Sequence, residues 1–364
     1  MVNESKINKS VFAKKLLDWY GQHGRKDLPW QENRNAYRVW VSEIMLQQTQ
    51  VKTVIPYFKK FMLSFASVLD LANAHEDEVL HHWSGLGYYA RARNLHKSAQ
   101  QVRDLHAGEF PLVFEDVLAL PGIGRSTAAA IFAQAEGQRH AILDGNVKRV
   151  LSRFHAVHGW TGQAKIQEQL WGFAEQHTPD HKLADYTQAI MDLGATLCTR
   201  SKPQCEACPL REECEAYATD QVKLLPTPKP KKTLPVKSVR MLLLRNTEQQ
   251  ILLEKRPPTG IWGGLWSLPE MPLEEIVEEW CENHYQLSVS ALREQAVMRH
   301  TFSHYHLDIT PCIVEVNNPE QSVMEAERRV WYKACQNDRN ISTQTLSLGL
   351  ATPVSHLINR LNEE

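Results

Sequence analysis

The sequence predicts a multidomain protein in which an all-α first part is joined by a short linker to an α+β second part. Three features point to it. Up to about residue 215 the apolar residues recur at helical spacing. Lys223 to Lys237 then carries Pro226, Pro228, Pro230 and Pro235 among Lys229, Lys231 and Lys232, a tract that cannot continue a helix and reads as an extended linker. Beyond it, short apolar runs separated by polar turns take over. The expected division is 1–218, a linker at 219–237, and 238–364. A chain of 364 residues suffices for two ordinary cores.

The first helix is predicted from Ser10, as N-cap, to Tyr20, on the spacing of Phe12, Leu16, Trp19 and Tyr20. Arg25-Lys26-Asp27-Leu28-Pro29-Trp30 follows as a loop, either a charged turn anchored by one Trp or a contact to bases. Val39–Gln50 is the second helix, and Glu43 sits in its apolar stretch among Val41, Ile44, Met45 and Leu46. A carboxylate desolvated by such neighbours has its pKa raised toward that of a working acid. On the polar face it would be an ordinary solvated glutamate. Further helices are expected over Val54–Phe65, Asp77–Trp83, Ala90–Leu105 and Ile166–His177. Gly85-Leu86-Gly87-Tyr88-Tyr89, followed by Arg91 and Arg93, suits stacking on bases and pairing with phosphates, or equally a glycine turn with buried tyrosines.

A helical pattern at Phe114, Val117 and Leu118 runs into Leu120-Pro121-Gly122-Ile123-Gly124-Arg125-Ser126-Thr127-Ala128, and a small-residue helix spans Ser126 to Ala133. Two glycines flanking one apolar residue allow a tight hairpin that bares backbone N–H groups. Such a place either grips a phosphate or is a plain turn between packed helices. Asp144-Gly145-Asn146 precedes the stripe Val147, Val150, Leu151 and Phe154, which puts Asp144 at or just before a helix N-terminus.

Of seven cysteines, four fall in Cys198-x6-Cys205-x2-Cys208-x5-Cys214, a metal-site pattern whose spacing leaves zinc and an iron–sulfur cluster both open. Cys281, Cys312 and Cys335 read as core residues, and the odd count argues against a disulfide framework. A formal net charge of −1 gives no global basic field, so any nucleic-acid surface must be local. The polar N-terminus and the absence of a long apolar run predict no export signal, no membrane partner and a cytoplasmic location. In the second part, Val239–Leu244 and Gln250–Lys255 form an expected hairpin, a helix covers Leu273–His284, and strands resume at Ala296–Thr301, Tyr305–Val316 and Arg328–Tyr332.

Six stretches in order carry a family resemblance: Ser42–Gln50, Gly85–Ala92, Leu120–Thr127, Leu143–Val147, the four cysteines, and Arg299–His304. Over nearly its whole length the chain resembles the MutY-type adenine DNA glycosylases of the helix-hairpin-helix superfamily. The resemblance implies an all-α helix-hairpin-helix glycosylase domain with an iron–sulfur loop at 198–214, plus a Nudix-like α+β domain. It implies a monomeric base-excision-repair enzyme, nucleoid-associated by its substrate in a bacterium, that removes adenine opposite 8-oxoguanine or guanine in double-stranded DNA. On this resemblance Glu43 is the acid, Asp144 stabilises or traps the sugar cation, and Asn146 orients Asp144. Gln48 and Tyr88 would wedge into the stack, and Arg25, Leu28, Trp30 and Gln188 would line the adenine pocket. Gln47, Gly122, Gly124 and Ser126 would contact DNA, while Phe302, Ser303 and His304 would sense 8-oxoguanine. Cys198, Cys205, Cys208 and Cys214 match the ligands of a [4Fe–4S] cluster.

Two departures matter. Endonuclease III-like relatives carry a lysine nucleophile where this chain has Ser126, and serine cannot form a Schiff base, so a monofunctional glycosylase is expected. Lys148, one turn past Asp144, could still react adventitiously with an abasic site. The glycine-rich Trp262–Trp266 stretch is Nudix-like, yet the Arg-Glu-x-x-Glu-Glu box of pyrophosphohydrolases is missing, so hydrolase activity is not expected. The alternatives are an endonuclease III-like oxidised-pyrimidine glycosylase/lyase and a non-catalytic DNA-binding protein. The pairing of Glu43 with Asp144 speaks against the second.

Overall fold

Every regular element before residue 230 is helical among the residues that the structure, a computed structural model, describes: 9–230, 233–317, 328–333 and 348–363. Helix α1 (Lys9–His23) takes in Ser10, the expected cap, as an internal residue. Helix α2 (Ala36–Leu46) is capped by Asn35, whose Oδ1 accepts the Arg38 N–H at 2.9 Å. It ends four residues before the expected Gln50, because Gln48 adopts the left-handed conformation (φ 58°). Then come α3 (Val51–Ser64), α4 (Val68–Asn73), α5 (Glu76–His82) and α6 (Ala90–Leu105), the last with the expected bounds.

After α7 (Phe114–Ala119), the glycine hairpin leads into α8 (Arg125–Ile131). Helix α8 widens into a π-helical turn over Phe132–Glu136, which Gly137 ends at φ 64°. Helices α9 (Gly145–Phe154), α10 (Ala164–His177), α11 (Leu183–Thr196) and the short α12 (Glu215–Ala218) complete the set. One core joins Phe12 and Leu16 of α1 to Val147, Val150 and Leu151 of α9, Leu170 of α10, and Ala189 and Leu193 of α11.

The start of the proline tract turns at residues 222–224 and is laid against this helical body. The Leu225 carbonyl accepts from Arg153 Nε at 2.9 Å. Thr227 Oγ1 accepts the Gly159 N–H at 3.0 Å, and Lys229 stands over the Trp160 ring.

Beyond the tract, β1 (Val236–Arg245) and β2 (Ile251–Lys255) make the expected antiparallel hairpin. Asn246 Oδ1 fixes its turn by accepting the N–H groups of Glu248 and Gln250. Short strands β3 (Trp266–Ser267) and β4 (Glu270–Met271) precede α13 (Val277–Tyr285). Strands β5 (Val289–Glu294), β6 (Met298–Thr301), β7 (His306–Val316) and β8 (Arg329–Tyr332) follow, and α14 (Thr352–Glu363) comes last. The sheet runs β3-β2-β1-β7-β5, with β4 on β1, β6 on β7 and β8 on β2. Its centre is the one parallel pair among the described strands, β1 with β7, in register from Val236↔His306 to Arg245↔Glu315. Helix α13 packs Trp280, Cys281 and Tyr285 onto Leu242, Leu244, Leu252, Cys312 and Val314. Cys281 and Cys312 are therefore core residues, and Cys335 lies outside the described residues.

The chain divides into two units, Met1–Asn73 with Asn94–Lys231, and Ala74–Arg93 with Lys232–Glu364. A single cut near residue 218 or 238 takes no account of residues 74–93, whose partners come from the far end of the sequence. Asp77 pairs with Lys255 at 2.9 Å, and the Arg93 guanidinium donates to the Gly263 carbonyl. The Tyr89 hydroxyl donates to the Leu350 carbonyl at 3.2 Å. Leu80 fits so closely under Gly349 that a Cβ there would stand 2.8 Å from it. No helix among the described residues is long and apolar enough to cross a membrane.

Leu80 is fully buried. Leu80→Ala should cost about 2–4 kcal/mol, and the loss should fall on the second unit. Hydrogen exchange should quicken in β2 and in residues 262–266 while α9 and α11 keep their protection.

Candidate active site

Two faces meet where α2 passes α8. Glu43 lies on α2 and Gln47, its C-cap, one turn further on, while Thr127 and Gln134 lie two turns apart on α8 and its π-helical continuation. The registers are antiparallel: Gln47 Nε2 reaches Thr127 Oγ1 at 3.5 Å, and buried Gln134 donates from Nε2 to Glu43 Oε1 at 3.2 Å. Burial among apolar neighbours and, second to it, the charge of Asp144 push the Glu43 carboxyl up to about 7, with the Gln134 amide opposing. Glu43 therefore belongs to the expected apolar stretch and feels Asp144 directly.

Asp144 is the N-cap of α9, as its position predicted. Its Oδ1 accepts the Val147 N–H at 2.8 Å, and its Oδ2 accepts from Asn146 Nδ2 at 3.1 Å. Burial raises its pKa, against the Val147 N–H, the Arg149 charge and Asn146. Arg149 holds the next link. It donates to Asn146 Oδ1 (2.8 Å), to the Gly194 carbonyl (2.6 Å) and to the Cys198 carbonyl (2.7 Å). Glycine is required at 194, since a Cβ there would stand 2.7 Å from Asn146 Cβ. Asn146 thus touches Asp144, as expected, and Arg149 was not anticipated.

The hairpin is pinned to α6. Gly122 has φ 78°, and a Cβ on it would meet the Asn94 side chain at 2.9 Å. Ser98 donates to the Pro121 carbonyl at 2.9 Å. Gly124 precedes α8 without a side-chain cap, and Arg125 stacks on Trp171 while pairing with Glu175. Ser126 Oγ accepts the Leu143 N–H at 3.0 Å, so its hydroxyl is tied to the segment that delivers Asp144.

Arg25 and Gln188 come together, but on a residue that the sequence did not single out. Asp192, 1% exposed, accepts the Arg25 N–H at 2.8 Å, Arg25 Nη2 at 2.6 Å and Gln188 Nε2 at 2.7 Å. A lone acid in Ala189-Ile190-Met191-Asp192-Leu193 was the available signal. Leu28 and Trp30 are buried, the latter edge-on to Phe58. Gln48 is exposed just after α2. Tyr88 belongs to the second unit, 52% exposed, with φ 49°. Arg91 supports it by standing over the Trp83 and Tyr88 rings and donating to the Leu86 and Gly87 carbonyls.

Cys198, Cys205, Cys208 and Cys214 all line one small apolar recess, together with Val150, Phe154, Leu193 and Leu210. Buried Arg153 donates to Cys198 Sγ at 3.3 Å and to the Thr199 carbonyl at 2.8 Å. Burial pushes the Cys208 thiol up to about 12 and raises Cys205 and Cys214. Among the described residues, no group of three or more His, Cys, Asp or Glu side chains is arranged to hold a single metal ion.

In the second unit, Phe302, Ser303 and His304 form the tip between β6 and β7, closed by the Phe302 N–H on the Tyr305 carbonyl at 2.9 Å. Phe302 packs with Trp262, His300 and Tyr305 in one aromatic cluster.

A carboxyl whose folded pKa is raised contributes fully below its unfolded value, here 4.5, and that contribution is lost as pH rises through about 7. Glu43→Gln should therefore stabilise the protein by about 1–3 kcal/mol at pH 8. The gain should vanish toward pH 4.5. Denaturant melts at the two pH values check it.

Comparison with known proteins bears on this arrangement. Residues 41–176 match the HhH-GPD superfamily base excision DNA repair proteins, and residues 240–359 match the NUDIX domain. The chain is 38% identical to the adenine DNA glycosylase of Buchnera aphidicola from Acyrthosiphon pisum, over 98% of this chain and 99% of that protein. It is 34% identical to the human adenine DNA glycosylase, over 82% of this chain and 66% of that protein. Among solved structures, a thermostable thymine-DNA glycosylase is 28% identical with a TM-score of 0.53, covering 58% of this chain and 97% of that one. An endonuclease III in non-covalent complex with DNA shares the fold at a TM-score of 0.50 and 21% identity, over 59% of this chain and 98% of that one. With its helical hairpin, its two coupled carboxyl groups and its NUDIX-type sheet, the chain belongs to the adenine DNA glycosylases, enzymes that hydrolyse N-glycosidic bonds.

Proposed function

We propose that this enzyme removes adenine paired with 8-oxoguanine, or with guanine, from double-stranded DNA, and that it stops at base removal. The observation that carries the proposal is the electrostatic coupling of Glu43 with Asp144, one carboxyl raised to about 7 and the other fixed as a helix cap. Adenine must first leave the stack. Glu43 in its acid form then gives its proton to N7 of the extruded base, which weakens the bond between N9 and the sugar C1′. That bond breaks, its electron pair leaves with adenine, and positive charge develops on the sugar. The Asp144 carboxylate stabilises the cation, the division of labour that glycoside hydrolysis also uses. Water adds at C1′ as Glu43 takes back a proton. Asn146 and the Val147 N–H keep the Asp144 carboxylate aimed while this happens.

Arg25, Leu28, Trp30 and Gln188 form the adenine pocket in this proposal, with Asp192 orienting Arg25 and Gln188. Gln47, Gly122, Gly124 and Ser126 lie along the DNA backbone, and Gln48 and Tyr88 fill the gap left by the base. Phe302, Ser303 and His304 choose the opposite base. The absence of strand cleavage rests on Ser126, which offers no amine and already accepts the Leu143 N–H. Cys198, Cys205, Cys208 and Cys214 would hold a [4Fe–4S] cluster: four sulfur donors line one recess beside the Arg149 and Arg153 guanidiniums, a setting that suits thiolate ligands. When bound, the cluster would cross-link the segment from Cys198 to Cys214.

Single-turnover incubation with an A:8-oxoguanine duplex should give a cleaved strand after alkali and none before it. Strand breaks without alkali would contradict the proposal. Glu43→Gln should lower the excision rate by at least about 10²-fold. His304→Ala with Phe302→Ala should leave excision from A:G pairs nearly unchanged while reducing the preference for 8-oxoguanine about tenfold. Equal preference in the variant and the parent would remove the second unit from base selection.

A further inference from the structure

We propose that Gln134 is a positioning residue for the catalytic acid, holding the Glu43 carboxyl in place through both of its protonation states. Gln134 is not part of the helix that carries Glu43. It lies in the π-helical turn Phe132–Glu136, buried, with its side-chain amide directed at Glu43 Oε1. π-Helical turns are frequent at functional sites, and this one ends α8. Here the facing registers agree at two successive levels, Gln47 with Thr127 and Glu43 with Gln134.

The chemistry of an amide explains why glutamine suits this place. Its NH₂ group donates to a carboxylate, which accepts only. Turned half a revolution about its last bond, the same side chain presents Oε1 and accepts the proton of a neutral carboxylic acid. Glu43 must be the acid when adenine departs and the base when water enters. One partner that serves both forms keeps the carboxyl in one position across the cycle, where an apolar neighbour would hold neither form and a cationic one would favour only the charged form. The groups acting on Glu43 are Asp144, from the N-terminus of α9, which disfavours its ionised form, and Gln134, whose charge-assisted bond to the carboxylate is stronger than its bond to the neutral acid and so favours the ionised form on balance.

This inference rests on the reading of Glu43 as acid and base given above, and the test separates the two. Gln134→Met and Gln134→Leu in the full-length protein each remove the amide while keeping bulk. Single-turnover excision from an A:8-oxoguanine duplex is followed as pH rises through neutrality. In the parent the rate should fall as Glu43 loses its proton near pH 7. In either variant the midpoint of that fall should move up by about half to one pH unit, and the low-pH plateau should drop about three- to tenfold. A lowered plateau with an unmoved midpoint would mean lost packing only and would overturn the proposal, as would a profile identical to the parent. Gln134→Asn, which keeps the amide on a shorter stem, should recover part of the midpoint shift. Glu43→Gln run alongside locates a failure. If it still excises adenine, the assignment of Glu43 is wrong; if it does not and the Gln134 profiles match the parent, only the role of Gln134 is wrong.

Discussion

The hydrogen bonds of the Asp144 carboxylate are the constraint on which the helical unit depends. One oxygen caps α9 through the Val147 N–H, and the other accepts from Asn146. A capping carboxylate cannot wander without unravelling the first turn of its helix, so the group offered to chemistry is immobilised by the fold itself. Its burial is costly, and the surrounding structure is arranged to offset that cost. Arg149 draws Asn146, the α11 backbone at Gly194 and the Cys198 carbonyl to one guanidinium. Arg153, one turn on, gathers Cys198, the Thr199 carbonyl and the linker carbonyl of Leu225. A single helix thereby carries the Asp144 carboxylate at its start and the support of the cysteine segment along its length.

Much of this was legible in the residues. The bounds of α6, the capping place of Asp144, the apolar setting of Glu43 and the hairpin of β1 with β2 all follow from spacing and turn chemistry. Other parts are fixed by partners distant in sequence and leave weak local traces. The parallel pairing of β1 with β7 is one, since no turn connects the two strands. Asp192 and Gln134 are others: each is a polar residue in an otherwise apolar helical stretch, and only the residues brought opposite reveal whether it is satisfied. The end of α2 was placed too late because nothing in Gln47-Gln48-Thr49 announces a left-handed glutamine.

The two halves of the chain also differ in how they meet their polar obligations. In the helical unit, Arg149 and Arg153 are tied to backbone carbonyls, Asp144 caps a helix, and buried Asp192 takes the Arg25 guanidinium. In the sheet unit, ion pairs such as Arg245 with Glu315 and Arg329 with Glu254 sit between neighbouring strands, part-exposed. Pairs of that kind set register more than they add stability. The loops of the second unit at Trp262 and at Phe302–His304 are held together by ring packing, and the first also by Gly263, on which an added Cβ would meet the Pro258 carbonyl at 2.6 Å.

The membership of residues 74–93 in the second unit has a consequence for biosynthesis. A ribosome delivers Asp77, Leu80, Tyr89 and Arg93 early, yet their partners Lys255, Gly349, Leu350 and Gly263 emerge at least 170 residues later. The helical half is therefore translated around a stretch whose docking partner does not yet exist. In the cell the sheet has to close on a segment synthesised long before it, and chain termination before Gly349 leaves Leu80 and Tyr89 without those partners.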